Sequence, residues 1–469
     1  MYKKTYHVHF MGIGGIGMSA LAIVLRQQGY VVSGCDLDIS SPSCLQLQKL
    51  GCALQQGHAG LLCQDPTINA VVYTSAVSLD HPELVTARAH GCVIVHRSEL
   101  LAELTKQKFS IAVSGSHGKT TTTALIAHIL LHAGIDPTVI VGGHVPSMGS
   151  NARLGAGDWL VAEADESDRS LVRLFPTLAV VTNIDLEHLD TYRDLSDLQA
   201  TFSAFLQRLP FYGRAVVCVD DPATAPLLDS KLPGGLPACI TYGFAPHAEF
   251  QVISYRLEPD HSCATFAHNG IELGIVRIAL AGKHMVANAL AATAIALQLE
   301  IPFETIAQAL ASFRGVEQRF TYRGLFQGAE VFDDYGHHPT EIRCMLDVAR
   351  RRAAGKLIVA FQPHRFTRTE KLWHEFLAVF GAAPVDLLLI TDIYPASEQP
   401  IPGITSERLV AELRAKNPGL AVEYIPQDPD FQAVRAALVE HAGVGDLVFF
   451  LGAGKLNKLS QSLGHSKAC

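Results

Sequence analysis

Residues 112–130, AVSGSHGKTTTTALIAHIL, decide how this chain reads. An apolar strand-like run ends at glycine, passes through Gly118-Lys119-Thr120 and enters a segment of helical periodicity. The loop Gly115-Ser116-His117-Gly118-Lys119-Thr120 is shorter than the common G-x-x-x-x-G-K-[ST] phosphate loop. Its physics is the same: backbone amides cradle phosphate oxygens, Lys119 neutralises β/γ charge, and Thr120 offers a hydroxyl to Mg2+. The alternative is a solvated lysine. A cation in a helix's first turn opposes the macrodipole, however, and a bound anion removes that conflict.

A magnesium–nucleotide site also needs acids at the ends of neighbouring strands. VAEADESD supplies Glu163, Asp165, Glu166 and Asp168 after one apolar strand, and VVTNIDLEHLD supplies Asp185, Glu187, His188 and Asp190 after another. Carboxylates this dense repel one another unless a cation or solvent intervenes. Either cluster alone reads as a solvated acidic turn. Two at strand C-terminal ends, where α/β sites form, favour a metal.

A second glycine pattern lies near the N-terminus. Gly12, Gly14 and Gly17, with Gly15 among them, form G-x-G-x-x-G between a strand and a helix. Asp36 ends the next strand, where dinucleotide folds place a ribose-binding acid. Alone this pattern reads as a nicotinamide dinucleotide site, but the loop recognises only a pyrophosphate, and any nucleotide diphosphate satisfies it.

The chain has 469 residues, of which 48% are hydrophobic and 17% charged, which suits a packed protein of two or three domains. A net charge of −8 gives no general attraction to nucleic acid or anionic membrane. The longest apolar helical stretch, near Ala289–Leu297, is about half a membrane span. MYKKTYHVHF lacks the apolar core of a signal peptide, and the ten cysteines include no C-x-x-C pair, so reduced thiols in the cytoplasm are expected.

Strand, glycine turn and helix recur in three sets, which predicts an α/β protein with parallel sheets covered on both faces. Residues 240–283 read as an antiparallel extension. The polar TKQK near residue 106 and a break near 318 divide the chain into 1–106, 107–317 and 318–469.

At this point a resemblance enters. The segments HFMGIGGIGMSALA, VSGSHGKTTTTAL, GSNARLGAGDWLVAEADESD, VVTNIDLEHLDTY, GVEQRF, DDYGHHPTEI, FQPHRFTRT and DIYPASEQPIPGITSE resemble the Mur ligases, ATP-dependent amide-bond-forming enzymes of peptidoglycan synthesis. Several are specific to the branch that joins L-alanine to UDP-N-acetylmuramate. The resemblance implies a Rossmann-like N-terminal domain binding the UDP-sugar, a central P-loop-type ATPase domain, and a Rossmann-like C-terminal domain binding the amino acid. The first loop then holds the UDP pyrophosphate, with Asp36, Thr74 and Ser75 toward the uridine end. A nicotinamide-dependent oxidoreductase becomes the alternative outside the family. Within it, the alternative is a recycling ligase that adds a tripeptide to the same sugar nucleotide.

By the same resemblance, residues 115–121, Thr121 included, bind ATP, and Lys119 contacts its β/γ-phosphates. Thr120 and Glu163 hold one Mg2+, and His188 serves a second. Asn288 reads the adenine edge, Asp334 meets the ribose, and Arg319 reaches the γ-phosphate on closure. Tyr335, His337, His364, Arg365 and Arg368 line the pocket for carboxylate and L-alanine. Without the resemblance, Arg365 and Arg368 read as a surface pair and His337-His338-Pro339 as a helix start. The chain departs from the family pattern at Ser116, Arg169, Met285 and Lys455. It has no lysine between His188 and Lys231, where several sister ligases carry a carbamylated one, and that absence is what resemblance to the alanine-adding branch implies.

Overall fold

The computed structural model describes residues 5–58, 64–188, 190–228 and 238–464. They divide into two compact units. One takes in most of residues 1–314; the other is 315–469 with the short segments 256–262 and 279–285. The first unit holds two of the three sheets.

The first sheet has five parallel strands in the order Ala53–Gln56, Val31–Asp36, His7–Met11, Ile68–Tyr73, Val93–His96. His7–Met11 is central and buried throughout. The chain runs outward from it first to one side and then to the other. The turn after it, Gly12–Gly15, therefore opens at the point where strand order reverses, the usual ligand crevice of such sheets.

The second sheet has ten strands. Its order is Ile271–Ile278, Ser262–His268, Phe250–Leu257, Ala238–Gly243, Arg214–Cys218, Leu178–Val181, Phe109–Ser114, Trp159–Glu163, Thr138–Val145, Ser150–Arg153. Phe109–Ser114 pairs in parallel with Trp159–Glu163 on one side and Leu178–Val181 on the other. The strand feeding the Gly-Lys-Thr loop thus lies between the two strands that end in the acidic clusters. Their C-terminal ends converge on the start of helix Lys119–His132.

One expectation is corrected here. Ala238–Gly243 pairs with Phe250–Leu257 in parallel, not antiparallel, through Tyr242↔Phe250 and Gly243↔Gln251. The Asp220 carboxylate accepts the Phe244 and Ala245 amides at 2.8 to 2.9 Å, which bends the chain outward after Gly243. It re-enters beside the strand it left, heading the same way, so the two strands overlap only at their ends.

Asn151, on Ser150–Arg153, ties the two sheets of this unit together. Its amide donates to Ile16 O at 2.6 Å and to Ser19 Oγ at 3.1 Å, fixing helix Ile16–Gln27 at its first turn. Helix Leu195–Leu206 buries Phe202 and Phe205 against Val181, Ala215 and Val217.

The second unit carries a six-stranded sheet, Thr321–Phe326, Ala329–Asp334, Leu447–Leu451, Leu357–Phe361, Leu387–Thr391, Val422–Ile425. It is parallel except for the first pair, a hairpin. Pro339 does open a helix, Pro339–Arg352. His338 caps it with Glu341 in a reciprocal box, and three arginines occupy its last turn, where the helix dipole favours cations. Among the described residues no helix is long and apolar enough to cross a membrane.

Phe202 is fully buried. Phe202→Ala is expected to cost about 3–5 kcal/mol, read as a lower urea midpoint for unfolding of the first unit.

Candidate active site

The loop is braced by the next strand end. Gly115 has φ +133°, and a Cβ there would come within 2.0 Å of Thr182 Oγ1. Ser116 N donates to Asn183 O at 3.0 Å, and His117 N donates to Asn183 Oδ1 at 2.9 Å. Ser116 Oγ donates to Asp185 O at 2.9 Å and accepts from Asp185 N at 2.8 Å. Gly118, at φ +82°, turns the chain into helix Lys119–His132, whose first amides have no side-chain cap. Uncapped amides at a helix N-terminus form a ready anion site. A Cβ at Gly118 would also lie 2.9 Å from Asn288 Oδ1, which places Asn288 against the loop.

Lys119 Nζ donates to Gly115 O at 2.5 Å, to Ser116 O at 3.0 Å and to Glu166 Oε1 at 2.8 Å. Glu166 is fully buried, and its Oε2 has no hydrogen-bond partner. Burial alone would lower the Lys119 pKa, but Glu166, then Glu163 and Asp165, hold it above its ordinary value. The ammonium stays charged within its own loop.

Thr120 Oγ1 donates to Glu163 at 3.0 and 3.2 Å, and Gly142 N donates to Glu163 Oε2 at 2.8 Å. His188, at φ +54°, sits in a turn with Nε2 3.4 Å from Glu166 Oε1 and 3.8 Å from Glu187 Oε2. Burial opposes the charged imidazole, but bonding to Glu166 and the Glu166 and Glu187 charges raise its pKa. One ligand atom each from Glu166, Glu187 and His188 lies within 4.8 Å of the others.

The acidic clusters do not act as two uniform groups. Asp165 and Asp168 face Arg97, at 2.6 and 3.4 Å. Against the cost of burial, Arg97 and then Lys119 hold Asp165 well below the usual carboxylate range. Asp185 faces His117 at 3.0 Å, and Asp190 is exposed. Arg169 reaches Asp197, Thr191 O and the Tyr192 ring, pinning the acidic turn to helix Leu195–Leu206.

In the first loop, Gly12 N and Ile13 N both donate to Cys35 O, at 2.8 and 3.1 Å. Gly14 N donates to Asp36 Oδ2 at 2.8 Å, so Asp36 braces the loop from below. Gly15 is the residue before helix Ile16–Gln27. A Cβ at Gly17 would meet Arg97 Nη1 at 3.5 Å. Thr74 Oγ1 accepts from Ala76 N at 3.0 Å, and Ser75 is exposed in the same turn.

In the second unit, Asp334 accepts from Phe320 N at 2.7 Å and from Gly336 N at 2.6 Å. Burial pushes its carboxyl up to about 7, against the pull of Arg319. The Arg319 guanidinium lies 5.4 Å from the Tyr335 ring centre. Ring centres run from Tyr335 to His337 (5.4 Å), His337 to His364 (5.8 Å) and His364 to Tyr394 (5.5 Å). Arg368 Nη1 is 3.2 Å from His364 Nδ1, and Arg365 Nε is 3.6 Å from Glu398. Tyr335, His337, His364 and Arg368 thus form one continuous cluster, and Arg365 joins it through its amide, which donates to Tyr394 O at 2.8 Å. Of the remaining departures, Met285 is buried, and Lys455 is exposed with its amide donating to Gln362 Oε1 at 2.9 Å.

Three family models match in sequence: "Mur ligase family, catalytic domain" over residues 7–109, "Mur ligase middle domain" over 113–296, and "Mur ligase, glutamate ligase domain" over 318–454. This chain belongs to the Mur ligase family. A UDP-N-acetylmuramate–L-alanine ligase of Desulfotalea psychrophila is 46% identical over 465 residues, covering 99% of this chain and 98% of that protein. One from Sorangium cellulosum is 46% identical over 467 residues, covering 98% of this chain and 96% of its own length. The crystal structure of the UDP-N-acetylmuramate–alanine ligase of Thermotoga maritima superposes with a TM-score of 0.80 at 28% identity, over 97% of each chain.

Reading this Mur ligase from sequence missed Arg97, Asn183 and Tyr394. Arg97 joins the two glycine-loop regions of the first unit, beside Gly17 and bonded to Asp165. The donor set Thr120, Glu163, Glu166 and Glu187 with His188 is rich in hard oxygens, and Glu166 Oε2 is buried without a partner. Such a set fits Mg2+.

Burial, then the neighbouring His337, Arg368 and Arg365 charges, press the His364 pKa down to about 3. Its imidazole is expected to stay neutral through pH 5 in a 15N NMR titration of the substrate-free protein. Titration near pH 6.5 would contradict this placement.

Proposed function

We propose that this Mur ligase joins L-alanine to the carboxylate of UDP-N-acetylmuramate, converting ATP to ADP and phosphate, in peptidoglycan precursor synthesis in the cytoplasm. The observation that supports it most is Lys119, held charged at an uncapped helix start between two acid-tipped strands. The names of full-length relatives at 46% identity supply the substrates. Residues 1–106 would bind the UDP-sugar, 107–317 ATP, and 318–469 the amino acid.

A carboxylate is a poor acyl donor because oxide is a poor leaving group. Transfer of the γ-phosphoryl group breaks its bond to ADP and makes an acyl phosphate; the neutral alanine amine attacks its carbonyl carbon, the C–O bond to phosphate breaks, and the nitrogen loses one proton to a base. The first step brings two anions together. Unit charges about 4 Å apart repel by roughly 4 kcal/mol at an effective dielectric of 20. Lys119 and the amides after Gly118 take up phosphate charge. Thr120, Glu163 and His188 are the residues we assign to Mg2+, which when bound supplies further charge neutralisation on the phosphates. Arg319, Asp334 and Asn288 are assigned to the nucleotide. Tyr335, His337, His364, Arg365 and Arg368 are assigned to the carboxylate and alanine. Neutral His364 adds no like charge beside Arg365 and Arg368.

The test is phosphate release with Mg–ATP, UDP-N-acetylmuramate and single amino acids or the recycled tripeptide. L-alanine is expected to be used best, with glycine about 10- to 200-fold poorer, since one methyl group discriminates little. Lys119→Met should lower kcat at least about 1000-fold while UDP-N-acetylmuramate binding persists. Turnover with the tripeptide and not alanine, or full activity of the variant, would overturn the reading.

A further inference from the structure

The first sheet holds a second cluster of metal-ligating side chains, separate from the Gly-Lys-Thr loop. His9 lies within strand His7–Met11, Cys35 within Val31–Asp36, Glu83 in the first turn of helix Pro82–Ala89, and His58 just beyond Ala53–Gln56. His9, Cys35 and Glu83 are buried, while the His58 side chain is 24% exposed and gives the cluster an edge toward solvent. Cys35 Sγ is 3.2 Å from His58 Nδ1 and 3.4 and 3.3 Å from the two Glu83 oxygens. His58 Nδ1 is 3.5 Å from Glu83 Oε2, and His9 Nε2 is 3.7 Å from Glu83 Oε1. One ligand atom each from His9, Cys35 and Glu83 lies within 4.8 Å of the others, with His58 at the second Glu83 oxygen. A tetrahedral Zn2+ with bonds of about 2.0–2.3 Å holds its ligands roughly 3.3–3.8 Å apart, and the distances from Glu83 to His9, Cys35 and His58 are of that order.

The hydrogen bonds around His9 decide which nitrogen carries its proton. Thr67 Oγ1 has one hydrogen and donates it to Asp65 Oδ1 at 2.7 Å. His7 Nδ1, 2.8 Å from Thr67 Oγ1, must therefore be the donor in that pair. In a neutral His7 imidazole, Nε2 then accepts from Ser33 Oγ at 2.8 Å. Ser33 has no second hydrogen, so His9 Nδ1 donates to it at 2.9 Å. In the neutral imidazole this leaves the lone pair on His9 Nε2, which is buried without a hydrogen-bond partner 3.7 Å from a Glu83 oxygen. A histidine with one nitrogen fixed by an oxygen and the other aimed at a cluster of donors has the arrangement of a metal ligand.

We propose that His9, Cys35, Glu83 and His58 form a tetrahedral site for a Zn2+-class divalent cation. Zn2+ would ionise Cys35 by displacing its proton, and the thiolate, the Glu83 carboxylate and two neutral imidazoles balance the ion's charge. The Cys35 carbonyl accepts both the Gly12 and Ile13 amides, so the metal anchors the base of the first glycine loop.

The test uses the full chain, stripped with chelator and kept in excess Mg2+, titrated with Co2+ and then Zn2+. One equivalent of Co2+ should give a thiolate-to-cobalt charge-transfer band in the near ultraviolet and strong tetrahedral visible bands, both removed by Zn2+. Cys35→Ser should abolish the charge-transfer band. His58→Ala, at a partly exposed position, should keep native circular dichroism and weaken Zn2+ binding at least about 10-fold against a competing chelator. No charge-transfer band in the unaltered protein, a band surviving in Cys35→Ser, or unchanged Zn2+ affinity in His58→Ala would each overturn the site.

Discussion

The ion pair between Lys119 and Glu166 is the constraint on which the rest of the central site depends. A lysine at the first position of a helix faces the positive end of the dipole. Here it is held there by a fully buried carboxylate and two loop carbonyls. A buried pair of this kind is weak evidence for stability, because desolvation offsets much of the attraction. Its value lies in placement: the ammonium is charged and confined before any phosphate arrives, so little reorganisation remains for the reaction.

The sheet order explains how that placement is reached. Phe109–Ser114 carries the loop, and its two parallel neighbours deliver Glu163 and Glu166 from one side and Asn183, Glu187 and His188 from the other. Parallel pairing points all three C-terminal ends the same way. Gly115 and Gly142 then permit the close approach, since a Cβ at either would strike Thr182 or Glu163.

Much of this was legible in the sequence because glycine spacing and apolar runs report backbone requirements directly. Both loops, the α/β class and the helix start at Pro339 could be read that way. The division of labour among acids could not. Glu163, Asp165, Glu166 and Asp168 follow a strand through an irregular turn with no period to assign faces. The partner that claims Asp165 and Asp168 is Arg97, some 70 residues upstream. The parallel entry of Phe250–Leu257 was equally hidden, because strand direction after a short excursion depends on Asp220 capturing two distant amides. The His9, Cys35, Glu83 and His58 cluster draws on two strands, a helix and the segment after a third strand, and none of its residues forms a local spacing motif.

The central claim is that the loop after Phe109–Ser114 grips the triphosphate. A crystal structure with Mg2+ and a non-hydrolysable ATP analogue tests it most directly. The account predicts the β- and γ-phosphates on the amides following Gly118, with Lys119 Nζ turned from the Gly115 and Ser116 carbonyls onto phosphate oxygen. An unoccupied loop, with the nucleotide bound elsewhere, would contradict it.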